Sequence, residues 1–166
     1  MKKLAWFDRQ FTFGLPSGML PFYLERLSGT AWRMEAKVKG IADEILSERW
    51  NDKWSVKQNI GHLAEVDEVA SQRIDQMLQG AEVMAPAVFE PRDYNAMSVQ
   101  DVIAYFREGR LKHLAKYSSL RDEDLLVSSI HPRLKQRMTP IDLAFFDAEH
   151  DDHHLLMISE ILAQHT

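Results

Sequence analysis

Apolar positions along this chain recur with a helical period in four long runs, separated by stretches that carry the proline, glycine and small polar residues of turns. Residues 20–27 read as a short helix with Pro21 in its first turn, where a missing N–H costs little. Ser28-Gly29-Thr30 interrupts it, and Thr30 is expected to N-cap a run holding Trp32, Met34, Val38 and Ile41. Residues 42–46 add a turn, and Trp50-Asn51-Asp52-Lys53 reads as a loop. Ser55-Val56-Lys57-Gln58 is a capping box that opens a helix with Ile60, Leu63, Val66, Ala70, Ile74 and Met77, ending near Gly80. Residues 80–97, with Pro86 and Pro91, show no sustained period; connections of that length often line a site.

Ser98 opens the next helix, whose apolar set is Val102, Ile103, Phe106, Leu111 and Leu114. Residues 119–138 read as irregular, with a turn near 122–126. Thr139-Pro140-Ile141-Asp142 combines an N-cap, a first-position proline and an acid, so the last helix is expected over about 140–163. Residues 1–16, rich in aromatic side chains, read as an extended arm on the domain. Nothing alternates with period two for long enough to build a sheet. The expectation is one all-α domain over residues 1–166 with four main helices, the long connection between the second and third serving as a crossover.

Composition narrows the chemistry. The chain has 166 residues, net charge -5 and scattered basic residues, which argues against a nucleic-acid-binding face. It has no cysteine, so thiolate ligands, cysteine nucleophiles and disulfides are excluded. No run approaches a membrane span or a signal peptide's apolar segment, so the expected location is cytoplasmic.

Seven histidines remain, and three of them fall in Asp147-Ala148-Glu149-His150-Asp151-Asp152-His153-His154. His150 and His154, four apart, lie on one helix face with Leu143, Met157 and Ile161. An i, i+4 pair of this kind can chelate one ion. On the second long helix, His62 shares a stripe with Val66 and Val69, whereas His113, His131 and His165 lack such a setting, so His62 is the best third ligand. His153 lies about 60° off the stripe and reads as a supporting or pocket residue. Asp147 and Asp151 are candidates to orient the imidazoles by accepting N–H bonds, and Glu65 or Glu68 is a candidate base. The blander alternative is a set of core histidines held by nearby carboxylates. Di-iron chemistry fits poorly, because Asn59 stands where a bridging Glu is needed; a peptidase fits poorly, because Asp151, not Glu, follows His150.

Trp54-Ser55, His62-Leu63 and His150…His154, together with Leu24-Glu25-Arg26-Leu27-Ser28-Gly29-Thr30 and His131-Pro132-Arg133-Leu134, occur in an order that resembles the DinB/YfiT-like superfamily. That resemblance implies a four-helix bundle in up-down-down-up order and a three-histidine divalent-metal site, commonly Zn or Ni, with His62, His150 and His154 as ligands. It further implies a metal-dependent hydrolase, or an S-transferase using a low-molecular-weight thiol, acting on a small molecule, often as a homodimer. A non-catalytic metal- or ligand-binding dimeric bundle with a stress-related or regulatory role is the alternative; its mark would be a metal site with no accessible pocket, or with no open coordination position.

Overall fold

The computed structural model describes residues 3–51 and 53–165; Met1 and Lys2 of the expected arm and Asp52 of the expected loop lie outside the described residues. Six helices carry the architecture: α1 (Leu20–Ser28), α2 (Thr30–Val38), the short α3 (Asp43–Ser47), α4 (Val56–Leu78), α5 (Val99–Ser118) and α6 (Pro140–Leu162). α1 and α2 act as one bent helix, because Gly29 between them keeps a right-handed helical backbone (φ -76°, ψ -11°). Thr30 is therefore not the expected N-cap. Its hydroxyl donates instead to Asp151 Oδ2 on α6, at 2.5 Å.

Helix directions follow from which residues meet. Asp67, Ser71 and Asp75 of α4 face Arg110, His113 and Lys116 of α5 in the same order, so these helices run parallel. On α6, Asp147 and Asp151 face His113 and Arg110, so α6 runs antiparallel to α5. Arg26, Arg33 and Lys37 meet Glu149, Asp152 and Ser159, so the bent α1–α2 runs with α6. The result is an all-α four-helix bundle in up-down-down-up order, with the expected crossover between α4 and α5. Between α5 and α6 a two-residue ribbon pairs Ser129–Ile130 with Arg137–Met138, a detail the sequence pattern did not indicate.

The long helices begin where their capping residues direct. Ser55 Oγ accepts from the Gln58 N–H while Gln58 Oε1 accepts from the Ser55 N–H. Thr139 and Asp142 form the equivalent box, and Asp142 Oδ1 also accepts from the Gly14 and Leu15 N–H groups at 2.8 and 2.9 Å. This pins the N-terminal arm to the start of α6. Gly14 meets it with φ +88°, a conformation that disfavours a side chain.

Two apolar clusters fill the bundle. One includes Met34, Ile60, Leu63, Phe106 and Ile158; the other includes Leu27, Ile74, Met77, Leu143 and Phe146. Between them lies a buried polar layer. Arg110 donates to Asp67 Oδ2 (2.8 Å), to both oxygens of Asp151 (2.6 and 2.9 Å) and to the Leu27 carbonyl (2.7 Å). α6 is consequently buried on several sides rather than along one stripe. Leu111, expected in the apolar set of α5, is exposed.

Candidate metal centre

α4 and α6 cross antiparallel, and their side chains bring His62, His150 and His154 together. One ring nitrogen from each lies within 4.8 Å of the others. His150 Nε2 and His154 Nε2 stand 3.2 Å apart. Two imidazole nitrogens bound tetrahedrally to one small divalent ion stand about 3.3 Å apart, given bond lengths of about 2.0–2.1 Å. The donor set and its spacing therefore fit a metal ion.

The surroundings fix how two of the imidazoles face the centre. Asn59 donates from Nδ2 to the Ser55 carbonyl (2.8 Å), which turns its Oδ1 toward His154 Nδ1 at 2.7 Å. An amide oxygen only accepts, so the His154 proton sits on Nδ1 and the Nε2 lone pair points into the cluster. Glu65 Oε2 lies 3.5 Å from His62 Nδ1, and the Tyr94 hydroxyl donates to Glu65 Oε1 at 2.7 Å. Tyr94 reaches that position by lying flat on Gly61, where a Cβ would stand 2.5 Å from its ring. His150 Nδ1 is buried without a hydrogen-bond partner.

Burial dominates the electrostatics. It pushes the His62 pKa down to about 4, and it holds His150 and His154 well below the ordinary range, with their neighbouring imidazoles adding to the effect. All three are thus neutral at physiological pH, the state in which imidazole binds a cation. Burial also raises the pKa of Glu65, against the hydrogen bond from Tyr94 that lowers it.

Aromatic rings wall the cluster. Trp54 and Phe89 contact His62 edge-on, with centroids at 4.7 and 5.1 Å, and Trp6 contacts His150 at 4.9 Å. A cavity of about 600 Å³ opens from His62 and His150 along α4. The stripe His62, Val66, Val69 and Arg73 forms one wall. Pro86, Ala87 and Phe89 of the long connection line the same space, and that is what this segment contributes to the site.

The supporting residues expected from the sequence divide. His153 is half-buried beside Trp6 and His154 and stands outside the three-nitrogen cluster. Asp147 lines the cavity, but its Oδ2 faces His113 Nε2 at 3.5 Å, not an imidazole of the cluster. Asp151 does not orient the histidines either: it follows His150 by about 100° around the helix and points into the Arg110 layer. Glu65 sits behind His62, away from the cavity lining, and Glu68 is engaged by the Tyr105 hydroxyl. Asn59, Tyr94 and Trp54 were not singled out as supports in the sequence. Asn59 and Trp54 were within reach, because Asn59 is one turn before His62 on α4 and Trp54 abuts the capping box.

Among the described residues, no helix is long and apolar enough to cross a membrane. Compared with solved structures, the chain is similar to YfiT from Bacillus subtilis, described as a probable metal-dependent hydrolase with an unusual four-helix bundle topology. The TM-score is 0.79 at 18% identity, covering 94% of this chain and 93% of that one. No curated protein matches by sequence. The model of the DinB superfamily matches residues 26–158, nearly the whole bundle including all three clustered histidines. The chain belongs to the DinB superfamily.

Proposed function

We propose that this protein is a divalent-metal-dependent hydrolase of a small molecule, with His62, His150 and His154 as metal ligands and Zn or Ni as the metal. The observation that carries this reading is the convergence of three neutral imidazoles, two of which, His62 and His150, line an open, largely apolar cavity. The alternative of a non-catalytic metal-binding bundle calls for a site with no accessible pocket or no open coordination position, and the cavity argues against the first of these. The description of YfiT as a probable metal-dependent hydrolase supports the same reaction class.

When bound, the metal supplies Lewis-acid activation of a water molecule, or of a low-molecular-weight thiol, at neutral pH. The chain's own residues do the rest. Asn59 holds the His154 tautomer, and Glu65, steadied by Tyr94, takes the corresponding position behind His62. Trp6, Trp54 and Phe89 exclude bulk water from the imidazoles and offer an apolar wall to the substrate. Imidazole ligation suits Zn and Ni, as it also suits Cu and Fe.

Metal analysis after gel filtration tests the assignment. The wild-type protein is expected to carry stoichiometric Zn or Ni, and His62→Ala and His154→Ala each to lose it. Full occupancy in both variants would overturn the ligand set. Reconstituted protein should then cleave activated esters in a chelator-sensitive manner. Turnover that appears only with an added thiol and an electrophile would move the reaction from hydrolysis to thiol transfer.

A further inference from the structure

The cavity carries a charge pattern that metal binding does not explain. Arg73 lies on the same stripe of α4 as His62, Val66 and Val69, three turns further on. It lines the cavity with only 9% of its surface exposed. Its Nε is buried without a hydrogen-bond partner, and no carboxylate among the described residues forms an ion pair with it. A buried guanidinium without a partner is costly, because desolvation is not repaid; here burial lowers the Arg73 pKa despite the field of Asp147.

A second arginine stands at the rim. Arg133 stacks over Phe7 with 4.2 Å from its Cζ to the ring centroid, and it too has no carboxylate partner among the described residues. Between the two, His131 Nδ1 accepts the backbone N–H groups of Arg133 and Leu134, so its proton sits on Nε2 and the ring is a neutral donor. Both arginines, after burial itself, press the His131 pKa down to about 4. Among the described residues Asp147 is the one carboxylate on the lining, and its Oδ2 is turned to His113. The lining thus offers two unpaired cations and a neutral donor against one acid.

We propose that the cavity takes an elongated ligand with an apolar body and an anionic group, a carboxylate or a phosphate, which Arg73 binds at the end remote from His62, with Arg133 guiding it at the rim. This rests on the proposed metal site for the ligand's other end, and it names the substrate class of that site. Arg73 and His62 are eleven residues apart on one helix, roughly 16 Å along its axis, so a ligand that meets both is extended rather than compact. Planar guanidinium groups recognise both anion types through paired N–H donors.

Binding of phenylbutyrate, phenyl phosphate and the uncharged phenylbutyramide tests this by calorimetry, on full-length protein both stripped of metal and loaded with zinc. The acids are expected to bind about tenfold or more tighter than the amide in both forms, as a charge-assisted pair predicts. Arg73→Gln should abolish that preference, Arg73→Lys should restore part of it, and Arg133→Gln should reduce it by a smaller factor. Relative affinity of the two acids distinguishes a carboxylate from a phosphate ligand. Equal binding of acid and amide would overturn the proposal, as would a preference that survives Arg73→Gln in metal-free protein. A preference seen only with zinc would also overturn it, because the anion would then be ligating the metal. If Arg73→Gln does not fold, an undiminished preference in Arg133→Gln and Arg73→Lys together overturns it. Failure of the metal site leaves the metal-free arm intact, and failure of the arginine leaves metal occupancy intact, so the two are separable.

Discussion

The bundle interior holds two polar clusters of opposite character. At mid-height, every guanidinium nitrogen of Arg110 is answered by Asp67, Asp151 or the Leu27 carbonyl, and Thr30 adds a hydroxyl donor to Asp151. Further along α4 and α6, three neutral imidazoles bring one ring nitrogen each to a common point, with aromatic rings around them. The first cluster meets nearly all of its hydrogen-bonding needs as the chain folds, with Asp67 Oδ1 left over. The second leaves His150 Nδ1 buried without a partner and holds three ring nitrogens at a spacing that fits a metal ion. Donors and acceptors that find each other serve the fold, and polar atoms left over beside a cavity are available to a ligand.

The largest effect should come from breaking the Arg110 cluster. Arg110→Met leaves Asp67 and Asp151 buried without their cation, and loss of one partner of such a network costs about 3–5 kcal/mol. For a chain of this size that lowers the melting temperature on the order of 10 °C. By contrast, His62→Ala in metal-free protein should change stability by no more than about 1 kcal/mol, because the imidazole borders the cavity and anchors no protein donor. Thermal denaturation of both variants checks the contrast; equal losses would erase the distinction between the two clusters.

Next in size is the response to acid. Unfolding returns His62 from about 4 to near 6.5. Between those values the unfolded chain holds a proton that the native chain does not, so stability falls as pH falls. His62 alone accounts for about 2 kcal/mol by pH 5, and His150 and His154, also depressed by burial, act with the same sign. Asp67 opposes them: burial raises its pKa to about 6, so the native state takes up a proton first and regains some stability below that pH. Three histidines outweigh one carboxylate. Melting of metal-free protein between about pH 7.5 and about 5 should therefore show a falling midpoint, and a flat or rising one would mean that the imidazoles are not held neutral.

What the sequence made legible was local or periodic. Ser55-Gln58 and Thr139-Asp142 announce their helices because a cap is made by residues three apart. His150 and His154 announce a pair because a helix turn sets their spacing, and the stripe of His62 places it opposite. The errors were long-range. Thr30 has the chemistry of an N-cap, but Asp151 competes for its hydroxyl from 121 residues away. Asp151 neighbours His150 in sequence, yet one step around the helix turns it toward Arg110. Nothing local marks Arg110 on α5 as the partner of acids on α4 and α6. The stripe that led to His62 also contained Arg73, whose isolation became visible only once the facing elements were in place.

The smallest effects should come from the residues that position the imidazoles without belonging to either cluster. Asn59→Ala removes the acceptor that holds the His154 proton on Nδ1, leaving the ring free to present the wrong tautomer to a metal. Metal affinity is expected to fall by about 10–100-fold, the usual cost of losing such a partner. Tyr94→Phe keeps the ring on Gly61 and deletes only the hydroxyl that steadies Glu65 behind His62. Its longer chain of influence, hydroxyl to carboxylate to imidazole, should weaken metal binding by less than Asn59→Ala does, with about 1 kcal/mol of stability lost. Competition for zinc against a chromophoric chelator measures both. If Tyr94→Phe proved the more damaging, Glu65 rather than Asn59 would be the principal support of the site, and His62 rather than the α6 pair would be its weakest point.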